Sequence, residues 1–272
     1  MRMKTLTRWR AALRLVSAGI AVAMVTGCAP ETPPAAAAQS ADVPARPSPD
    51  LYAGSPYLRE LRDSLVYGEI WERDQLSKRD RSLITVAVLQ ALAREELAIH
   101  IPRGLDNGLT PEEISEIILH VTFYAGWPTG VQASLLAADA FEERGLLLGD
   151  LPRAPAESEP STPGWLSDAY AAVPRLGELR NSLLYGDIWE RPLLSKRDRS
   201  LITIAVNQAL YATNELRIHI ERALDENGVV PQEISEVILH VTFYAGWPAA
   251  VNAGRLATAA FEARGVDLSA LE

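Results

Sequence analysis

The sequence predicts an all-α fold made of two tandem copies of one helical unit, and three observations carry that prediction. Glu113 to Pro128 reads EISEIILHVTFYAGWP and returns at Glu233 to Pro248 as EISEVILHVTFYAGWP, so fifteen of sixteen positions are identical and only Ile117/Val237 differs. The match widens upstream, where Arg62 to Leu92 and Arg180 to Leu210 agree at 24 of 31 positions. The period of 118–120 residues is that of a whole domain, not of a solenoid repeat. Third, apolar residues such as Ile114, Ile117, Ile118 and Val121 recur at helical spacing, and no segment alternates with period two between turn signals.

The N-terminal 27 residues carry Arg2, Lys4, Arg8, Arg10 and Arg14, no acid, and an apolar stretch from Leu15 to Val25. This predicts a signal peptide over 1–27, too short in its apolar part to span a membrane. Val25-Thr26-Gly27-Cys28 resembles a bacterial lipobox. The resemblance implies cleavage before Cys28, lipidation of that residue and, with Ala29 following, the periplasmic face of the outer membrane in a host that has one. An ordinary signal peptide with an incidental cysteine is the alternative. Residues 28–54 are rich in Pro and Ala and read as a tether. Repeat one covers 55–146, a Pro-, Ser- and acid-containing linker 147–172, and repeat two 173–272.

Removing the first 27 residues takes five positive charges and no acids, so the net charge falls from -9 to -14. Nucleic acid is excluded as a partner on that charge, and membrane attachment would come from the acyl chains. Cys28 is the only cysteine, which leaves the mature chain without a thiol for redox work or a disulfide.

Within each repeat the helix boundaries follow from caps. Ser77 with Asp80, and Ser195 with Asp198, predict helices beginning at Lys78 and Lys196, the first running through Ala93. A helix over Glu96 to Asn107 stops at Gly108, and Pro102, which is Glu221 in repeat two, predicts a kink beside His100. Thr110-Pro111-Glu112-Glu113 is a strong helix start, whereas Val230 replaces Thr110 and weakens that cap by about 1 kcal/mol. Gly126 ends this helix and Pro128 opens the last, which runs to Arg144.

All four histidines fall in matched sets, read here as His100 with His120 and His219 with His240. Glu96 and Glu215 precede His100 and His219 by four residues, one helical turn, so each carboxylate is expected to raise its imidazole's pKa and orient it for acid–base work. A surface ion pair or a structural hydrogen-bond network remains open as the alternative. Glu116, His120 and Tyr124 form a polar stripe on one helix face. Arg81 and Arg199, among neighbouring arginines, are candidates to hold a substrate carboxylate, with Tyr124 and Tyr244 as further substrate contacts. Trp71, Trp127, Trp189 and Trp247 read as packing at helix junctions or subunit contacts. No metal motif, phosphate loop or nucleophile elbow is present, so neither metal nor cofactor is expected.

LSKRDRSLIT followed by ELAIHIPRGLDNGLTPEEISEIILHVTFYAGWP resembles the carboxymuconolactone decarboxylase family over nearly all of each repeat. The resemblance implies two tandem alkylhydroperoxidase D-like helical domains and a homo-oligomer, here a trimer of two-repeat chains. In the peroxidase branch of that fold the matching helix carries Cys-x-x-Cys-x-x-x-His. Ala93 and Glu96, or Ala212 and Glu215, stand at the cysteine positions here, which excludes thiol peroxidase chemistry. The non-redox branch implies a cofactor-independent loss of CO2 from a small carboxylated lactone or carbonyl compound. Glu96, His100, His120, Glu215, His219 and His240 are then its catalytic candidates. A non-catalytic ligand- or partner-binding lipoprotein on the same scaffold is the alternative.

Overall fold

Side-chain oxygens fix the helix starts. Ser77 Oγ accepts the Asp80 N–H at 3.1 Å and Ser195 Oγ accepts the Asp198 N–H at 3.0 Å. Thr110 and Glu113 form a complete capping box, each side chain accepting the other's backbone N–H. At Val230 only the Glu233 half survives, because valine offers no oxygen.

In the computed structural model the described residues are 51–149, 151–153 and 170–271. The signal peptide, Cys28, most of the tether and most of the linker lie outside them. Repeat one supplies α1 (Pro56–Leu61), α2 (Lys78–Ala91), α3 (Leu97–Asp106), α4 (Pro111–Ala125) and α5 (Trp127–Glu143). Repeat two supplies α6 (Pro174–Leu179), α7 (Lys196–Ala209), α8 (Thr213–Asp225), α9 (Pro231–Ala245) and α10 (Trp247–Glu262). Among the described residues every regular element is helical, and none is long and apolar enough to cross a membrane.

Two local features position the site. After α1 the chain widens into a π-helical turn, Arg62–Tyr67, and then tightens into a 3-10 turn, Ile70–Glu72, which carries Trp71 into the interior. Gly68 permits this, since a Cβ there would stand 2.5 Å from the Ser64 carbonyl oxygen. The helix α2 ends before Ala93, earlier than expected. Ala93 adopts φ 51, and the Ala93 and Arg94 N–H groups close on the Gln90 and Leu89 carbonyls, a Schellman arrangement built without glycine. Tyr211, at φ 57, does the same after α7. Pro102 lies inside α3, which remains one α-helix from Leu97 to Asp106.

The helices α2 and α7 pack against each other at the centre, and each also packs against both α4 and α9. Their apolar side chains form one core cluster drawn from both repeats, so the described residues belong to a single compact unit. Charges tie the first turns of α2 and α7 together. Arg79 donates to Asp198 at 3.1 Å and to Glu113, while Arg197 donates to Asp80 at 2.9 Å and to Glu233. The copies are therefore joined at their cores, not merely strung in tandem.

Candidate active site

The polar stripe on α4 does not face its own repeat's histidine. It faces repeat two, and the matching stripe on α9 faces repeat one. His240 packs edge-on against Trp71 at 5.1 Å between ring centroids and stacks on Tyr244 at 5.2 Å. His100 stacks on Trp71 at 6.3 Å and meets Tyr244 edge-on at 5.8 Å. The second site repeats this with His120 on Trp189 at 5.1 Å, Trp189 on His219 at 5.7 Å and Tyr124 on His219 at 5.7 Å. The pairs are thus His100 with His240 and His219 with His120, a correction of the within-repeat pairing. Trp71 and Trp189 are walls of these sites, while Trp127 and Trp247 are each 69% exposed.

Behind each aromatic layer lies a buried ion cluster that also crosses between repeats. Glu236 accepts from Arg81 at 2.8 Å and from Arg73 at 3.0 Å. Glu116 accepts from Arg199 at 3.1 Å and from Arg191 at 2.6 Å. Arg81 and Arg199 are wholly buried and also donate to the Arg73 and Arg191 carbonyls. Their expected role on a substrate carboxylate is corrected accordingly: their guanidinium charge answers a protein glutamate out of reach of solvent. For Arg199, burial pulls the pKa below its ordinary value, and Glu116 opposes that shift.

His120 and His240 are likewise structural in their contacts. Arg199 lies 3.3 Å from His120 Nδ1, and Thr203 Oγ1, which donates to the Arg199 carbonyl, lies 2.9 Å from His120 Nε2. A guanidinium only donates, which assigns a neutral imidazole protonated at Nε2. His240 has the same neighbours in Arg81 and Thr85. Burial, then Arg81, then His100 push His240 down to about 3, and burial drives His120 well below its usual range. Both rings are engaged at both nitrogens, so neither is placed to exchange a proton with a substrate.

His100 and His219 differ: no hydrogen bond holds either ring among the described residues. Burial, reinforced by Arg103, pushes His100 down to about 4, and burial with Arg222 and Arg180 pushes His219 to about 3. The sequence reading expected Glu96 and Glu215 to raise these values. Both carboxylates are exposed near the start of their helices, neither is hydrogen-bonded to its histidine, and desolvation with a nearby arginine dominates. Tyr244 accepts the Trp71 indole N–H at 3.1 Å and Tyr124 that of Trp189 at 2.9 Å. Burial raises the Tyr244 hydroxyl to about 12.

His100, Tyr244, Leu89, Arg62, Arg94 and Glu96 line a cavity of about 530 Å³ whose wall joins repeat one to Phe243 and Tyr244 of α9. The arrangement is a neutral imidazole and a phenol facing a partly apolar chamber with arginines at its edge. Sequence reasoning missed Thr85 and the buried role of Glu236; it read Trp71 as junction packing and Arg73 among the arginines that could hold a substrate carboxylate, where the structure gives Arg73 to Glu236. The repeated IWER and SLIT segments carried the signal, but not the partner each would meet.

The chain belongs to the carboxymuconolactone decarboxylase family, whose family model matches residues 56–140 and again 174–259. It is similar to the 4-carboxymuconolactone decarboxylase of Acinetobacter baylyi, 43% identical over 82 residues, which is 30% of this chain and 61% of that protein. It is also similar to a nitrosuccinic acid decarboxylase of Metarhizium robertsii, 37% identical over 90 residues, 32% of this chain and 63% of that protein. Each match spans about three-fifths of the relative's length.

Proposed function

We propose that the protein is a cofactor-independent decarboxylase of a small carboxylated lactone or carbonyl compound, acting in the chamber around His100. The observation that supports it most is His100 itself: a desolvated, neutral imidazole without a hydrogen bond among the described residues, facing a cavity large enough for such a substrate. The names of the two similar proteins, both decarboxylases, point the same way.

In this reading the substrate's C–CO2 bond breaks, its electron pair passes into the conjugated C=C–C=O system, and CO2 leaves. Tyr244 supplies a hydrogen bond to the oxygen on which negative charge develops. A bound anion beside His100 counters Arg103, raises the imidazole's proton affinity and allows it to pick up the proton that it then delivers to carbon. Trp71 and His240 hold His100 and Tyr244 in register, and the Arg81–Glu236 pair holds His240.

The test is proton NMR of carboxymuconolactone with the full chain. Loss of the lactone with growth of the enol-lactone, undiminished after metal chelation, is the expected result. No conversion at high enzyme concentration would remove this substrate, and wild-type turnover in His100→Asn would remove the mechanism. We further propose an exported lipoprotein anchored through Cys28 and assembled as a homo-trimer. Exposed Trp127, Val131 and Leu135 on α5 and Trp247 and Val251 on α10 support a subunit contact. Mass spectrometry of the Cys28 peptide and light scattering check these two points, and an unmodified cysteine or a monomer mass would reject them.

A further inference from the structure

The wall of the His100 chamber holds apolar residues that the core does not use. Leu58 and Leu61 of α1 and Leu65 and Val66 of the π-helical turn follow one another at helical spacing, and all four line the cavity. Neither element buries a residue, and Leu58 is 55% exposed. The helix α1 packs chiefly on the turn that follows it, so its apolar face has no core to fill.

That face is continuous with the polar site. His100 and Tyr244 line the same cavity, and Leu89 and Phe243 extend its apolar lining. At about 30 Å³ per water molecule, the cavity of about 530 Å³ has room for roughly eighteen of them. A small polar acid at His100 would leave the leucines facing water, and a pocket lined mainly by apolar side chains recognises apolar surface. Repeat two is built differently at this point. Its matching turn, Arg180–Tyr185, draws Arg180 and Tyr185 into the interior, and a buried Asn207 stands at the position of Leu89.

We propose that the His100 chamber takes a substrate with a hydrocarbon substituent. It is a carboxylated lactone or oxo acid whose reacting end meets His100 and Tyr244 and whose alkyl or aryl group lies on Leu58, Leu61, Leu65, Val66 and Leu89. Each methylene that this wall takes from water favours the longer substrate about two- to fourfold. The bond changes are those already given, and the substituent takes no part in them. The inference rests on reading this chamber as the ligand site, and not on turnover.

Calorimetric titration of the full chain with butanoate, hexanoate and octanoate tests it, because these acids lack the conjugated carbonyl and cannot lose CO2 by that route. Affinity is expected to rise about two- to fourfold per added methylene, with a heat-capacity change that grows more negative along the series. Leu61→Ala/Leu65→Ala should weaken octanoate about tenfold and butanoate little. Leu58→Ala, at an exposed position outside the core, should weaken octanoate about twofold and carries the test if the double variant lowers Tm. The matching Leu179→Ala/Leu183→Ala in repeat two should leave all three acids unchanged. No binding of octanoate, equal affinity across the series, or an equal loss in the repeat-two variant would overturn the proposal. So would a double variant that changes the mass in light scattering but not the slope, because a second copy then covers these leucines. Failure of lactone turnover leaves this titration unaffected, and a flat series leaves lactone turnover untouched, so the two readings fail separately.

Discussion

Glu116→Gln is the substitution that bears most directly on how the two repeats are held together. Glu116 is 1% exposed on α4 of repeat one, and both of its cationic partners, Arg191 and Arg199, belong to repeat two. The amide removes the charge while keeping the shape, so two guanidiniums in the interior lose the carboxylate that they share. Removing one partner of a buried pair costs about 3–5 kcal/mol. Arg199 has no access to water, so Glu116→Gln belongs at the upper end, about 4–5 kcal/mol. The matching Glu236→Gln should cost less, about 3 kcal/mol, because the Arg73 side chain is 32% exposed and can be solvated. Urea denaturation followed by tryptophan fluorescence measures both, with Glu96→Gln as an exposed control expected within about 0.5 kcal/mol of wild type. At about 2–4 °C per kcal/mol for a unit of this size, Glu116→Gln should lower Tm by roughly 10 °C or more. A single transition is also expected, since the lost contacts join the repeats. A loss below about 1 kcal/mol, or two separate transitions, would refute the claim that these clusters lock the copies into one unit.

Stability should fall on mild acidification. His100, His219 and His240 have folded pKa values of about 4, 3 and 3 against 6.5 unfolded, so their contribution is complete above about pH 6.5 and is lost as pH falls toward the folded values. With three groups the slope approaches about 4 kcal/mol per pH unit, and a Tm unchanged between pH 7 and 5 would contradict their neutral burial. Val230→Thr should add about 1 kcal/mol by completing the capping box that Glu233 already half forms, read as a higher urea midpoint at constant m. His100→Asn should lower kcat by about 10²–10⁴-fold with helicity retained, measured by circular dichroism beside the lactone assay.

Much of the fold was legible because it depends on local chemistry. Ser77, Ser195 and the Thr110–Glu113 box announced helix starts through oxygens placed three residues from the N–H they accept. The end of α2 was less legible, because Ala93 closes it in a left-handed conformation that the sequence would assign to glycine. Pro102 was expected to bend α3, yet the element stays one α-helix from Leu97 to Asp106, with the proline as its sixth residue, in the second turn, where it leaves the Ala98 carbonyl without the usual N–H four residues on. The Glu96–His100 spacing was read correctly as one helical turn, but spacing says nothing about water. Glu96 is solvated and His100 is not, so burial outweighs the carboxylate.

The pairing of the histidines was illegible for a different reason. Both repeats carry the same Glu-x-x-x-His-x-x-x-Tyr stripe, so His100 set beside His120 or beside His240 meets identical neighbours in type, and no residue distinguishes the two arrangements. Packing alone chooses. With α2 and α7 in contact at the centre, α9 lies across α2 and α4 across α7, and each stripe is delivered to the other repeat's tryptophan. One repeat therefore holds half of each His–Trp–Tyr cluster and a complete copy of neither. Physical linkage of the copies keeps the halves at high effective concentration and frees each half to change separately. Leu89 lines the cavity beside His100 and a buried Asn207 stands at its position in repeat two, the form that such divergence takes here, and it requires the two clusters to be tested individually and not as duplicates.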